Sequence, residues 1–563
     1  MYLFAKILFI FFILPSWGVS QVLLDSIQIT ESKPFSLSSI TEDHRSSDTV
    51  DLDILDFIGK INTGQIQQTT PGGLATFIHR GMGNRHLPIL WNGVNLQNIM
   101  NGSYDLHLIP FSLMNDVSFF TLGAPALTGN NGFAGALLLS RTTTKNSNHI
   151  SASLSSLQNY GWAFSKQINR SQWSTYVGVE AKSDQNIYKV NTENENIQRP
   201  DTRFKKFDIN AKTKYYINKK QALSAEIWWQ TAKRMIPVSI TSTPIPQTQA
   251  DQNFRANVQY QHLLTDYHIR SSLTYMNEQL DFETPSILSL SNTSIWVLNT
   301  EIVESKSKTH YLAIQYRSES ANPNFYSSTK KRNTFQLSGA KKIEWASGIS
   351  SEISARQDMV DKKWMPTSLS ISNQYKKWNL ILSRNYNLPG FNDLYWPSGG
   401  NPTLNTEKSH QGEVKWKFQM NNWNVKITGH SNHVTDWIQW IPQSNGIWSP
   451  TNQKNVWARG IEIDLKKNFI CKKFHLSPSF SMSYVKSTVL KHYFDKDMEG
   501  KQLIYVPNIK ALAQLMVKKS HHQWIISYLY TGKRFDSPDE STSLPAMHVP
   551  DIQYIWNKNA WIW

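Results

Sequence analysis

The 563-residue sequence predicts an all-β barrel that spans a membrane, preceded by a compact α+β domain. Three features carry that prediction. Apolar and polar residues alternate from about residue 148 onward, short turns and long polar connections follow one another regularly, and the N-terminus reads as an export leader.

The leader comes first. Lys6 precedes the apolar run ILFIFFIL, which has the length of a signal-peptide core and is too short to span a bilayer comfortably. Gly18-Val19-Ser20 offers small residues for cleavage, so residues 1–20 are expected to be removed and the mature chain to begin at Gln21. Beyond it no run of 18 apolar residues occurs, which excludes a helical membrane protein. Cys471 is the single cysteine, so no disulfide can form within the chain, and it lies far from the cleavage site. The net charge of +16 points, in an exported chain, to an anionic membrane surface or ligand rather than to nucleic acid. The 21 Trp, 22 Tyr and 25 Phe need a polar–apolar boundary to occupy.

Residues 21–143 alternate little and carry turn signals at Pro71-Gly72-Gly73, Asn92-Gly93, Asn101-Gly102 and Gly129-Asn130-Asn131-Gly132, as a compact glycine-rich mixed domain would. The strands follow. Glu413-Val414-Lys415-Trp416-Lys417-Phe418 and Ile461-Glu462-Ile463-Asp464-Leu465-Lys466 each present one apolar and one charged face. Faces so charged suit a wet or plugged lumen, with the apolar faces toward lipid. Backbone groups in lipid must all be paired, so the strands must close on themselves. Short turns such as Asn169-Arg170-Ser171, Lys376-Lys377 and Asn421-Asn422 alternate with longer connections, among them 183–204, 283–293, 388–406 and 441–452. About 20 strands fit between 148 and 557, and the chain stops at Trp561-Ile562-Trp563 as another begins, so the barrel is expected to lack its last two strands.

Several segments then resemble the TonB-dependent outer-membrane receptors. Leu24-Asp25-Ser26-Ile27-Gln28-Ile29-Thr30-Glu31 looks like the TonB box, and Ile78-His79-Arg80-Gly81 is similar to the plug's Ile-Arg-Gly motif with one residue inserted. LPILWNGVNL (87–96) resembles the plug's strand-turn-strand. Phe391-Asn392-Asp393-Leu394-Tyr395-Trp396, followed by Gly400-Asn401-Pro402 and Glu407-Lys408-Ser409, resembles the family's barrel signature. The resemblance implies a 22-stranded type of transmembrane barrel with an α+β plug in its lumen. The divisions expected are 1–20 signal peptide, 21–33 TonB box and leader, 34–143 plug and 148–563 barrel. It further implies an integral outer-membrane protein of a Gram-negative bacterium that is not an enzyme. Its partners would be TonB with the inner-membrane energising complex, and its surroundings lipid and lipopolysaccharide. Within the family, EIWWQTAKRMIP (226–237) and QADQNFRANVQYQ (249–261) resemble the cobalamin-receptor-like branch of Bacteroidetes, which implies a corrinoid cargo, with a ferric siderophore as the alternative. A passive porin and a non-functional truncated barrel are the readings of another class.

The site candidates follow from face and charge. Arg80 in a lumen needs a carboxylate partner. Glu413 and Glu462 lie on polar strand faces and match the family's barrel glutamates that pair with plug arginines, so the three are expected to form a latch. The family's second plug arginine is absent at Thr121-Leu122-Gly123-Ala124-Pro125, so a lysine or histidine is expected to compensate. Gly81, Gly83, Asn92 and Gly93 are read as the plug's turn positions. Gly81-Met82-Gly83 lacks the third glycine of a nucleotide loop, and His79 and His86 lack a metal-ligand cluster. Alternating apolar residues at 24–31 suit strand addition to a partner's sheet edge. Trp437, Trp440 and Trp448 read either as an interfacial girdle or as a ligand-stacking surface. Asp184, Glu193, Glu195 and Asp201 are the only cofactor candidates, for calcium in an extracellular loop, against the plainer reading of solvated acidity.

Overall fold

In the computed structural model the described residues are 41–44, 53–59, 64–68, 72–114, 116–120, 122, 129–141, 146–191, 196–199, 202–236, 245–305, 308–443, 446–558 and 561–562. Residues 24–31, and Glu193, Glu195 and Asp201, lie outside them.

A closed antiparallel barrel begins at Ser147–Leu154 and runs to Trp561–Ile562. Twenty of its described strands have eight residues or more. The ring is completed by Trp561–Ile562, which pairs with Met547–Lys558 and stands next to Ser147–Leu154 in the sheet order.

Alternation decides which side chains face out. In the strand Trp378–Asn387, Trp378, Leu380 and Leu382 are exposed on the outer wall while Asn379, Ile381 and Ser383 are buried inside. Trp378 stacks on Trp416 of the adjoining strand with ring centroids 5.2 Å apart, part of an outward aromatic band.

The long connections are shorter than the sequence suggests. The expected loop at 283–293 is mostly strand, because Tyr267–Thr284 and Ile287–Glu304 pair along their whole length. Eighteen residues extend about 60 Å, more than twice the height of an apolar membrane band of about 25 Å, so these strands project beyond the bilayer as a paired ribbon. Likewise Trp423–Pro442 and Trp448–Lys466 absorb most of the expected loop 441–452.

The N-terminal domain fills the lumen. Its five-stranded sheet has the order Thr41–His44, Asp116–Phe120, Ala136–Ser140, Ile89–Trp91, Val94–Asn95, and a separate hairpin joins Gly64–Gln68 to Ala75–His79. Asn92 and Gly93 have φ of +50° and +82°, the two positive values that a tight hairpin turn needs. Phe77, Phe119, Phe111 and Leu137 form the core with almost no exposure. That core continues into the wall through Phe204, Trp228 and Val434, so plug and barrel share one apolar interior.

Candidate functional site

The hairpin strand Ala75–His79 ends at Arg80, which adopts φ +52° and is followed by Gly81 at φ +72°. Consecutive left-handed residues swing the chain sharply, and Gly81 sits so close to the wall that a Cβ there would meet Ser487 Cβ at 2.5 Å. Gly83 differs: its φ of −66° is open to any residue, and a Cβ would only touch Trp437 at 3.6 Å. The bend therefore requires Gly81 and not Gly83.

That bend aims Arg80 at the wall. Its Nε and Nη2 donate to the two oxygens of Glu462 at 2.6 and 2.8 Å, and Nη1 donates to Glu413 Oε2 at 2.5 Å. Arg80 is 5% exposed and each glutamate 1%, so three charge-assisted bonds lie in a dry site between residues 333 and 382 positions apart. The expected compensating cation is Lys415, whose Nζ is 2.8 Å from the other oxygen of Glu413. His430 Nδ1 lies 3.3 Å from Glu462 Oε1. His79 is fully buried, and burial together with the neighbouring Arg80 charge holds its pKa well below the ordinary range. It is neutral, and its Nδ1 faces the Ala134 carbonyl at 2.5 Å, so Nδ1 carries the proton. His86 Nε2 pairs instead with Glu407 at 3.0 Å.

A second set of contacts holds the plug's apex. The helix Phe391–Tyr395 docks on it through backbone bonds from Phe391 N to Ile99 O (3.0 Å) and from Asn392 N to Met100 O (2.9 Å). Buried Asp393 accepts from both Arg85 terminal nitrogens, from Trp440 Nε1 at 2.9 Å and from Gly390 N at 2.8 Å. One carboxylate thus ties plug, loop helix and wall together. Beside it Phe325, Tyr326, Tyr395, Trp396 and Trp440 form a ring cluster, with Phe325 and Trp396 4.8 Å apart and Trp396 edge-on to Trp440 at 6.5 Å. Tyr395 and Trp440 are partly exposed and Trp396 is exposed, so the cluster opens away from the core.

A third set lies on the corrinoid-like segment. Glu226, Trp228, Gln230 and Arg234 share one strand face, and that face meets the plug. Glu226 accepts from Trp91 Nε1 (3.3 Å) and Asn92 Nδ2 (3.0 Å). Trp228 stands edge-on to Trp91, Gln230 donates to the Leu108 carbonyl, and Arg234 pairs with Asp105. Arg255, from the second half of the segment, lies 4.2 Å over the Trp228 ring. These residues seat the plug; the parity that puts 226, 228, 230 and 234 on one face was visible in sequence, but their target was not.

The tryptophans divide. Trp437 packs edge-on to His86 at 4.6 Å and against the shared core, so it belongs to neither a girdle nor a free stacking surface. Trp440 joins the ring cluster, and Trp448 is 58% exposed. Asp184 stands at the end of its strand, and among the described residues no group of three His, Cys, Asp or Glu is placed to hold a metal.

Residues 91–560 match the family model "TonB dependent receptor-like, beta-barrel" and residues 30–136 match "TonB-dependent Receptor Plug Domain". The vitamin B12 transporter BtuB of Vibrio vulnificus (strain YJ016) is 24% identical over 459 residues, covering 78% of this chain and 73% of that protein. Among solved structures, a mutant of the ferric enterobactin receptor of Pseudomonas aeruginosa in complex with enterobactin superposes with a TM-score of 0.72 at 14% identity, covering 90% of this chain and 89% of that one. The FrpB iron transporter of Neisseria meningitidis gives 0.72 at 11% identity and 90% of both chains.

Proposed function

The chain belongs to the TonB-dependent receptors, integral outer-membrane transporters of Gram-negative bacteria, and from that premise we propose that its cargo is cobalamin or a related corrinoid. The observation that carries the cargo reading is the 24% identity to a vitamin B12 transporter across most of both chains. The iron and enterobactin proteins share the fold at 11–14% identity and speak to architecture alone.

In this reading the ring cluster of Tyr395, Trp396 and Trp440 takes the cargo on the outer side, where flat apolar rings suit a large conjugated ligand. Asp393 lies between those rings and Arg85 of the plug, so cargo contact reaches the plug through one carboxylate. TonB adds a strand at residues 24–31 and pulls, and Arg80 must leave Glu413 and Glu462 before a path opens. A passive porin would have no use for a lumen filled by an ion-paired domain. A ferric siderophore is the second reading, the alternative cargo within the same family of receptors. Calcium at Asp184, Glu193, Glu195 and Asp201 stays part of the proposal for the outer loops.

Binding of cyanocobalamin to the purified protein, alongside a panel of ferric siderophores, tests the cargo. Saturable corrinoid binding is expected; siderophore binding without it refutes the reading.

A further inference from the structure

We propose that Lys415 is a positioning residue of the plug latch, supplying from the barrel wall the positive charge that the plug itself does not carry. Arg80 is a single guanidinium facing two carboxylates, each 1% exposed, and one cation cannot neutralise both. Lys415 lies two residues beyond Glu413 on the same strand, hence on the same inner face, and is itself 1% exposed. Its Nζ holds Glu413 Oε1 at 2.8 Å, which leaves Oε2 turned to Arg80 Nη1. Each carboxylate oxygen of the pair then has a cation or a donor: Glu413 between Lys415 and Arg80, Glu462 on the Nε and Nη2 edge of Arg80.

The arrangement is asymmetric in a way that bears on transport, whatever the cargo. When the plug moves, Arg80 leaves with it, but Lys415 stays with the wall. Glu413 keeps Lys415 at 2.8 Å, and Glu462 loses the guanidinium that spanned both of its oxygens. A latch built from two plug arginines would strip both carboxylates at once. Here the wall is left nearly balanced and already shaped to receive Arg80 again.

The test is a charge-balance series in the full-length protein reconstituted in lipid vesicles: Lys415→Met, Lys415→Arg, Glu413→Gln and the double Glu413→Gln/Lys415→Met. Methionine keeps the aliphatic stem, so a residue that only packs would be unaffected. The readouts are amide exchange of Ala75–His79 and leak of a bulky dye, taken only from barrels with heat-modifiable gel mobility. Lys415→Met and Glu413→Gln each leave the charges mismatched and should raise open-plug exchange and leak by at least about tenfold. Lys415→Arg and the double variant, which restore the balance, should lie within about twofold of the native protein. Should Lys415→Met fail to assemble, an assembled double variant with native exchange supports the proposal equally. A silent Lys415→Met, or a double variant no better than its worse parent, overturns it. Cargo binding plays no part in the readout, so a wrong cargo leaves this result intact.

Discussion

Replacing Arg80 by methionine is the sharpest perturbation of the lumen. The substitution removes the bonds at 2.5, 2.6 and 2.8 Å and leaves Glu413 and Glu462 where water is excluded. Glu413 still has Lys415 at 2.8 Å, so the larger loss falls on Glu462, which the guanidinium held by both oxygens. Breaking one partner from a buried pair costs about 3–5 kcal/mol, and the docked plug should weaken by that amount rather than by twice as much. At 1.36 kcal/mol per decade this raises the open population by roughly two to four decades. Hydrogen exchange of the Ala75–His79 amides in the membrane-embedded protein measures that population directly. Arg80→Met/Glu462→Gln removes the carboxylate that the guanidinium held by both oxygens and should recover most of the loss, whereas Arg80→Met/Glu413→Gln keeps that carboxylate and takes Glu413 from Lys415. Native exchange in Arg80→Met, or equal rescue by the two glutamine variants, would refute the ion-pair account and leave the plug held by its apolar contacts.

Three further outcomes are expected. Deleting residues 24–31 should abolish energised uptake while cargo still binds with unchanged affinity; uptake that survives the deletion would count against strand addition by TonB. Gly81→Ala should lower the midpoint of thermal unfolding, since a left-handed φ costs a side chain about 1–2 kcal/mol before the 2.5 Å approach to Ser487 is added, whereas Gly83→Ala should change the stability by less than about 0.5 kcal/mol and leave the midpoint nearly unmoved. His107 is held by burial at a pKa of about 4 against 6.5 when unfolded, so the folded plug binds fewer protons and loses stability as pH falls from about 6.5 toward 4, by at most about 3 kcal/mol; His107→Gln should flatten that slope in exchange measurements taken across the same range.

The period-two pattern made the barrel legible, because a side chain's face follows from parity along a strand, and the same parity put Glu413, Glu462 and Lys415 inside. The Asn92-Gly93 turn was equally legible, since few other pairs accept two positive φ values. Loop lengths were not legible, because polarity at 283–293 marks a connection no better than it marks paired strands above a membrane, which are free of the in-lipid alternation. Asp393 stands within the barrel signature, but its task of joining Arg85 to Trp440 depends on two residues 308 and 47 positions away. In the segment from Glu226 to Gln261 the resemblance to a branch of the family was legible, but not that Glu226 and Arg234 meet the plug, because Trp91 and Asp105 lie more than a hundred positions away.

By itself, then, the sequence determined which faces meet lipid and which meet the lumen, because that choice is local and repeats every second residue. It also determined that Arg80 had to find carboxylates, because an isolated charge in a dry interior is too costly to leave alone. Only the tertiary structure decided how the charges pair. Lys415 rather than a second plug arginine completes the latch, and Trp437 seats the plug rather than the membrane interface. Those outcomes depend on how far the plug sits along the lumen and how it is turned about the barrel axis, two quantities that no local pattern encodes.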